Sequence, residues 1–195
     1  MVWNTTAHHA AAVVLNSPIE TSPNMWIFFV FGVALIFRLG TLSVSVRHER
    51  ELKAAGAKEY GKRSSAFLAA LHVLFYLAVI VEASLRRPAF DSWSKAGFGL
   101  YLAGSVVLLV VMHALGRLWT VKLIFASDHA LSRHWVFGFV RHPNYYLAIV
   151  PELVGLALCM HAWITLALLG PLYLIPLWQR MQQENIVMER AFPGY

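Results

Sequence analysis

The sequence predicts an all-α integral membrane protein. It should have about five transmembrane helices, a C-terminal helical hairpin and a polar pocket on the cytoplasmic side. Three observations carry this. The 195 residues are 58% hydrophobic and only 13% charged, whereas soluble domains carry about 25% charge and 45–50% apolar residues. The apolar residues fall into long runs without strict alternation, which excludes strands. The basic residues collect between those runs, as they do in membrane proteins.

A bilayer core of roughly 30 Å needs about 20 apolar residues per helix. The first span reads as Met25 to Val46, the second as Ser65 to Leu85 and the third as Ala96 to about Leu115. The fourth runs from about Tyr145 to Met160 and the fifth from Trp163 to Trp178, so close together that they form a hairpin. Residues 1–24 form a lead-in without Lys or Arg, unlike a signal peptide, with a short interfacial helix expected over Thr6 to Leu15. Residues 25–195 then form a single membrane-embedded domain.

Twelve basic residues flank the spans on one side and three on the other, with Arg38 inside the first span. The bias toward cytoplasmic Lys and Arg places the twelve inside the cell, the N-terminus outside and the C-terminus in the cytoplasm. The inner (cytoplasmic) membrane is the expected location. The net charge of +6 is accounted for by orientation, so nucleic acid is not an expected partner. The first cytoplasmic segment has Arg47 with Glu51 and Glu49 with Lys53 at helical pairing distance, before Gly56 and Gly61 end or bend the helix. It reads as a juxtamembrane helix on anionic lipid, or as a wall of a cytoplasmic site.

Ionisable groups inside a membrane are costly and are functional candidates by default. Arg38 is expected to snorkel to the cytoplasmic interface. His72 and His113 read as packing residues, and Glu82 as an acid near the outer interface. Glu152 follows Pro151, and a proline within a helix frees a carbonyl. An acid beside a helix break is a candidate cavity residue.

The densest polar cluster is cytoplasmic: Asp128, His129, Arg133, His134, Arg141, His142, Asn144, Tyr145 and Tyr146, with Arg180, Glu184, Asn185 and Glu189 from the tail. Arg180 and Glu184 share a helix face, which a tail helix can bring over the loop before the fourth span. The histidines are not at helical ligand spacing, so no metal centre is expected. The single cysteine, Cys159, rules out an intramolecular disulfide and a thiolate cluster. A nucleophile elbow, a phosphate loop and a dinucleotide fingerprint are all missing from the sequence.

His129-Ala130-Leu131, followed by Arg141-His142-Pro143-Asn144-Tyr145, a membrane hairpin and a tail with Arg180 and Glu184, resembles the signature of the isoprenylcysteine carboxyl methyltransferase family. The runs Leu115 to Lys122 and Ala57 to Gly61 resemble its bacterial branch, associated with O-methylation of long-chain alkylpyrones and alkylresorcinols. The likeness is densest over 115–195. The sequence departs from the pattern at Trp135 (a glycine in the family), Phe137 (a tyrosine), Leu147 (a glycine) and Asn185 (a glutamate).

The resemblance implies S-adenosylmethionine as cofactor, with methyl transfer to a carboxylate or hydroxyl of a lipophilic acceptor, either isoprenylcysteine-like or a polyketide phenol or pyrone. It implies catalytic roles for Arg141 and Glu184. It implies cofactor contacts from His129, Leu131, Phe137, His142, Pro143, Tyr145, Glu184 and Asn185. Glu152, Tyr146 and Arg180 are then expected on the acceptor side, with membrane lipids as neighbours. A membrane reductase using NADPH and a non-catalytic membrane scaffold are the two readings from other classes.

Overall fold

The computed structural model describes residues 25–125 and 134–192. The N-terminal lead-in, Asp128, His129, Leu131 and Arg133 therefore lie outside the described residues. Helix α1 runs over Met25–Ala54 and joins, through the short strand β1 (Lys58–Tyr60), to α2 (Lys62–Arg86). Helix α3 (Ser92–Leu115) leads into a 3-10 turn and strand β2 (Leu123–Phe125). The five-residue helix α4 (Trp135–Phe139) precedes a π-helical turn (Asn144–Ile149), which continues as α5 (Val150–Cys159). Helix α6 (Trp163–Ala191) closes the described chain.

The protein is an all-α integral membrane protein. Three helical segments, Met25–Ala54, Lys62–Arg86 and Ser92–Leu118, are long and apolar enough to cross a bilayer, and Asn144–Cys159 is a shorter apolar helix. Their outward faces carry large apolar side chains such as Phe29, Ile36 and Leu85, each more than two-thirds exposed, as a lipid-facing surface requires. Helix α6 contains Pro171 and Pro176 and runs on without a break from the apolar segment into the polar tail.

The charged segment after the first span is helical and continuous with it. It carries the expected Lys53–Glu49 pair (2.6 Å) and Arg47–Glu51 pair (3.6 Å), and ends before Gly56, whose φ of +84° favours glycine. The sequence reading did not contain the antiparallel pairing of β1 with β2, in which Glu59 faces Ile124. Lys122 reaches Glu49 at 2.7 Å and helps hold this small sheet to α1.

Helices α3 and α5 pack backbone to backbone. A Cβ on Gly97 would come within 2.2 Å of the Cys159 nitrogen, and one on Gly155 within 2.4 Å of the Tyr101 nitrogen. Small residues let membrane helices approach in this way. Gly155→Ala should therefore destabilise the protein by at least about 1–3 kcal/mol, the usual effect of overpacking. Thermal unfolding in detergent measures this, and a variant melting like the parent would refute the close approach.

Glu82 does not simply reach water. It caps α6, accepting hydrogen bonds from the backbone nitrogens of Ile164 (3.0 Å) and Thr165 (2.8 Å) while pairing with Arg86. On the same side, Asp91 accepts a hydrogen bond from the Ser94 backbone nitrogen at the start of α3, and lies 3.0 Å from His161. Those contacts, the Ser94 bond foremost, hold the Asp91 carboxyl below its ordinary pKa. A depressed folded-state pKa contributes stability above the ordinary carboxylate value, which is lost as pH falls through the lowered value. Asp91→Asn, still a good cap, should remove that part of the acid dependence of the melting temperature; an identical acid limb would count against it.

Candidate active site

The site grows from an irregularity in the backbone. Pro151 has no N–H to donate to the carbonyl four residues earlier. Before it the chain widens into a π turn, with the Val150 nitrogen bonded to the Tyr145 carbonyl five residues back. Such turns often sit at functional sites. Here Pro143, fully buried, fixes the start, and Tyr145 is buried while Tyr146 is 51% exposed.

Tyr145 then meets the tail. Its hydroxyl donates to Glu184 Oε2 (2.8 Å) and accepts from Arg180 Nε (3.3 Å). Arg180, only 3% exposed, also donates to Ser65 Oγ on α2 (2.6 Å) and to the Val121 carbonyl (3.2 Å). The α6 tail thus lies against the π turn, α2 and the segment before β2. Buried His142 places Nε2 2.9 Å from Asn185 Oδ1 and Nδ1 3.9 Å from Glu184 Oε1. Glu184, Asn185, His142 and Tyr145 form one cluster, with Arg180 as the strut behind it.

Arg141 lies exposed beside this cluster, at the start of the turn. Phe137 packs against the group formed by Leu108, Val111, Trp119, Val136 and Ala148.

Tyr145 also lines a cavity of about 300 Å³ between α1 and α2. Its walls are mostly apolar, with Leu35, Leu39, Leu42, Leu68, Val73 and Leu77 among them. The polar wall residues include Trp119, Asn144 and Ser65 near Tyr145, and Arg38, His72, Tyr76 and Tyr173. Trp119 Nε1, Asn144 Oδ1 and His72 Nε2 are buried without a hydrogen-bond partner among the described residues.

Arg38 departs from the expectation that it snorkels. It turns inward and forms a two-pronged pair with Glu152: Nε donates to Oε1 at 2.6 Å and Nη2 meets Oε2. Tyr76 also donates to Glu152 Oε1 (2.5 Å). An unpaired acid at this depth is expensive, so the fully buried Glu152 holds the cation of the first span. Glu152 itself does not line the cavity; Arg38 and Tyr76 stand between.

The sequence reading missed Ser65, Trp119, Tyr76 and Tyr173. Only His72 and Tyr76, four apart on one helix face, left a usable signal.

Residues 97–190 match the family model described as the isoprenylcysteine carboxyl methyltransferase (ICMT) family. An uncharacterized protein of Haemophilus influenzae is 42% identical over 170 residues, covering 87% of this chain and 98% of its own. The chain belongs to the isoprenylcysteine carboxyl methyltransferase family. The uncharacterized protein YpbQ of Bacillus subtilis is 23% identical over 162 residues, covering 83% of this chain and 96% of its own. No solved structure matches the chain. The family is one of methyltransferases acting in membranes. Its match covers most of α3, the π turn, α5 and nearly all of α6, and the stretch before the π turn, the turn itself and α6 supply the Tyr145 cluster.

Proposed function

We propose that the protein transfers a methyl group from S-adenosylmethionine to a carboxylate or hydroxyl of a lipophilic acceptor. The acceptor, isoprenylcysteine-like or a long-chain polyketide phenol or pyrone, enters from the bilayer at the cytoplasmic face. One observation carries this reading: Tyr145 belongs both to the polar cluster under α6 and to the wall of the apolar cavity. A water-soluble cofactor and a lipid acceptor can meet only at such a junction.

The residues present fit the cofactor. It carries an amino group, a carboxylate and a nucleoside. Glu184 is an acceptor for the amino or ribose groups, and Asn144 Oδ1 and Trp119 Nε1 are a buried acceptor and donor left over by the protein. His142, Pro143 and Asn185 shape the same side, and His129, Leu131 and Phe137 are proposed for the adenosyl half. When bound, the cofactor supplies an electrophilic methyl group for in-line displacement, a reaction in which positioning supplies much of the rate. Arg141 orients the acceptor's carboxylate, or favours a phenolate by its charge. Arg180, with its nitrogens held by Tyr145, Ser65 and Val121, acts on the acceptor through Tyr145.

Calorimetric titration of the purified protein tests this. S-adenosylmethionine should bind, and Glu184→Ala should weaken it by about 1.5–3 kcal/mol, the value of a charge-assisted hydrogen bond. Unchanged affinity in the folded variant removes Glu184 from the site. Binding of NADPH in place of S-adenosylmethionine overturns the whole reading. Mass spectrometry of lipid extracts made with and without the protein should show an acceptor gaining one methyl.

The proposed orientation places this cluster in the cytoplasm of a bacterial cell, at the inner membrane. Reporter fusions after Tyr195 and between Arg86 and Lys95 should then give opposite signals. The same signal from both would remove the five-span topology.

A further inference from the structure

We infer that the cavity takes an amphiphile bearing a hydroxyl part-way along its chain, with His72 Nε2 as the hydroxyl's partner. This rests on the acceptor reading above and narrows it.

Apart from Thr41, whose hydroxyl donates to the Arg38 carbonyl (3.0 Å), the polar wall residues fall at two levels. Ser65, which holds Arg180 and through it Tyr145, marks the upper one, together with Trp119 and Asn144. His72 lies seven residues further along the same helix, about 10 Å at 1.5 Å per residue. Between them the α2 wall is apolar, formed by Leu68 and Ala69. A ligand whose head lies at Tyr145 and whose chain follows the cavity therefore passes His72 two helical turns below its head.

The chemistry of the lower level narrows what fits. The Arg38 charge is matched by Glu152 in a two-pronged pair, so a second carboxylate would find no free counter-charge there. The Tyr76 hydroxyl already donates to Glu152. Tyr173 Oη lies 3.2 Å from His72 Nδ1 and is that nitrogen's partner. What remains is His72 Nε2, buried in the wall and unpartnered among the described residues. A plain hydrocarbon chain would cover it with methylene groups and leave it unpaired, with no water at membrane depth to replace the bond. A hydroxyl both donates and accepts, so it suits either imidazole tautomer.

The test uses the full chain in lipid nanodiscs and three probes: hexadecanoic acid, its isomer hydroxylated at mid-chain, and its isomer hydroxylated beside the carboxylate. Binding is read by displacement of a fluorescent fatty acid. The mid-chain isomer should bind about tenfold tighter than the plain acid, equivalent to about 1.4 kcal/mol, and the head-hydroxylated isomer should gain nothing. In His72→Phe the mid-chain advantage should vanish. Equal binding of all three probes to the parent protein overturns the inference, whether or not the variant folds, and so does an advantage that survives in folded His72→Phe. S-adenosylmethionine titration of the same preparations is a separate readout. Failure there removes the methyl-transfer reading while the chain-position preference still decides this one.

Discussion

Glu152→Ala should destabilise the protein by about 3–5 kcal/mol, the usual result of leaving a buried charge without its partner. Glu152 is fully buried and receives hydrogen bonds from Arg38 and Tyr76. Removing it leaves the Arg38 guanidinium, whose side chain is only 17% exposed, without its counter-charge among the side chains of α1, α2 and α5. The double variant Arg38→Met, Glu152→Leu should recover most of that loss, because a well-packed apolar pair often replaces a buried ion pair at little cost. Thermal unfolding in detergent of the two single variants and the double variant forms the cycle that isolates the pair. If Glu152→Ala melts like the parent, the pair does not join α1 to α5. If the double variant is as damaged as the sum of the singles, the pair is not the reason.

Arg141 should have the largest effect on turnover. It lies exposed at the start of the π turn, beside His142, and the proposed function gives it the acceptor's polar group to orient. Arg141→Ala should lower the rate of methyl transfer by about 10²–10³, the range seen when one preorganised donor is removed. Arg141→Lys should also lose activity, because an ammonium keeps the charge but not the planar fork that matches a carboxylate. Both variants should still bind S-adenosylmethionine. Turnover equal to the parent in both would remove Arg141 from the acceptor side. Loss of cofactor binding in both would move it to the cofactor pocket, leaving Tyr145 and Tyr146 as the next residues to test on the acceptor.

Much of the architecture was legible because the bilayer constrains it so strongly. Apolar runs of span length can satisfy their backbone polar groups only as helices, so the span positions followed from composition. The hairpin of α5 and α6 followed from the short interval between Met160 and Trp163. The i,i+4 spacing of Arg180 and Glu184 was also visible, since it depends only on helix geometry.

The pairings were not legible. Arg38 looked like a residue that escapes to the interface, because its partner lies 114 positions away in the sequence. Glu82 looked like a solvated acid, because nothing local shows that α6 begins beside it. Tyr76 and Tyr173 were passed over, because a phenol in a hydrophobic run shows its hydroxyl's use only once its neighbour is known. The short sheet of β1 and β2 was hidden because three residues carry too little pattern to distinguish from loop.

By itself, then, the sequence determined the solvent, the number of helical runs, the break before Glu152 and the residue types available in the Arg141 to Tyr146 turn and the tail. Each of these depends on residues within a few turns of one another and on how the bilayer treats them. Only the tertiary structure decided that Tyr145 joins the tail cluster to a lipid-depth cavity, and that Arg38 pairs with Glu152. Those facts rest on contacts between distant segments. Helix packing sets them, through glycine approaches such as Gly97 of α3 against the backbone of α5 and through the high cost of leaving a polar group alone in the membrane.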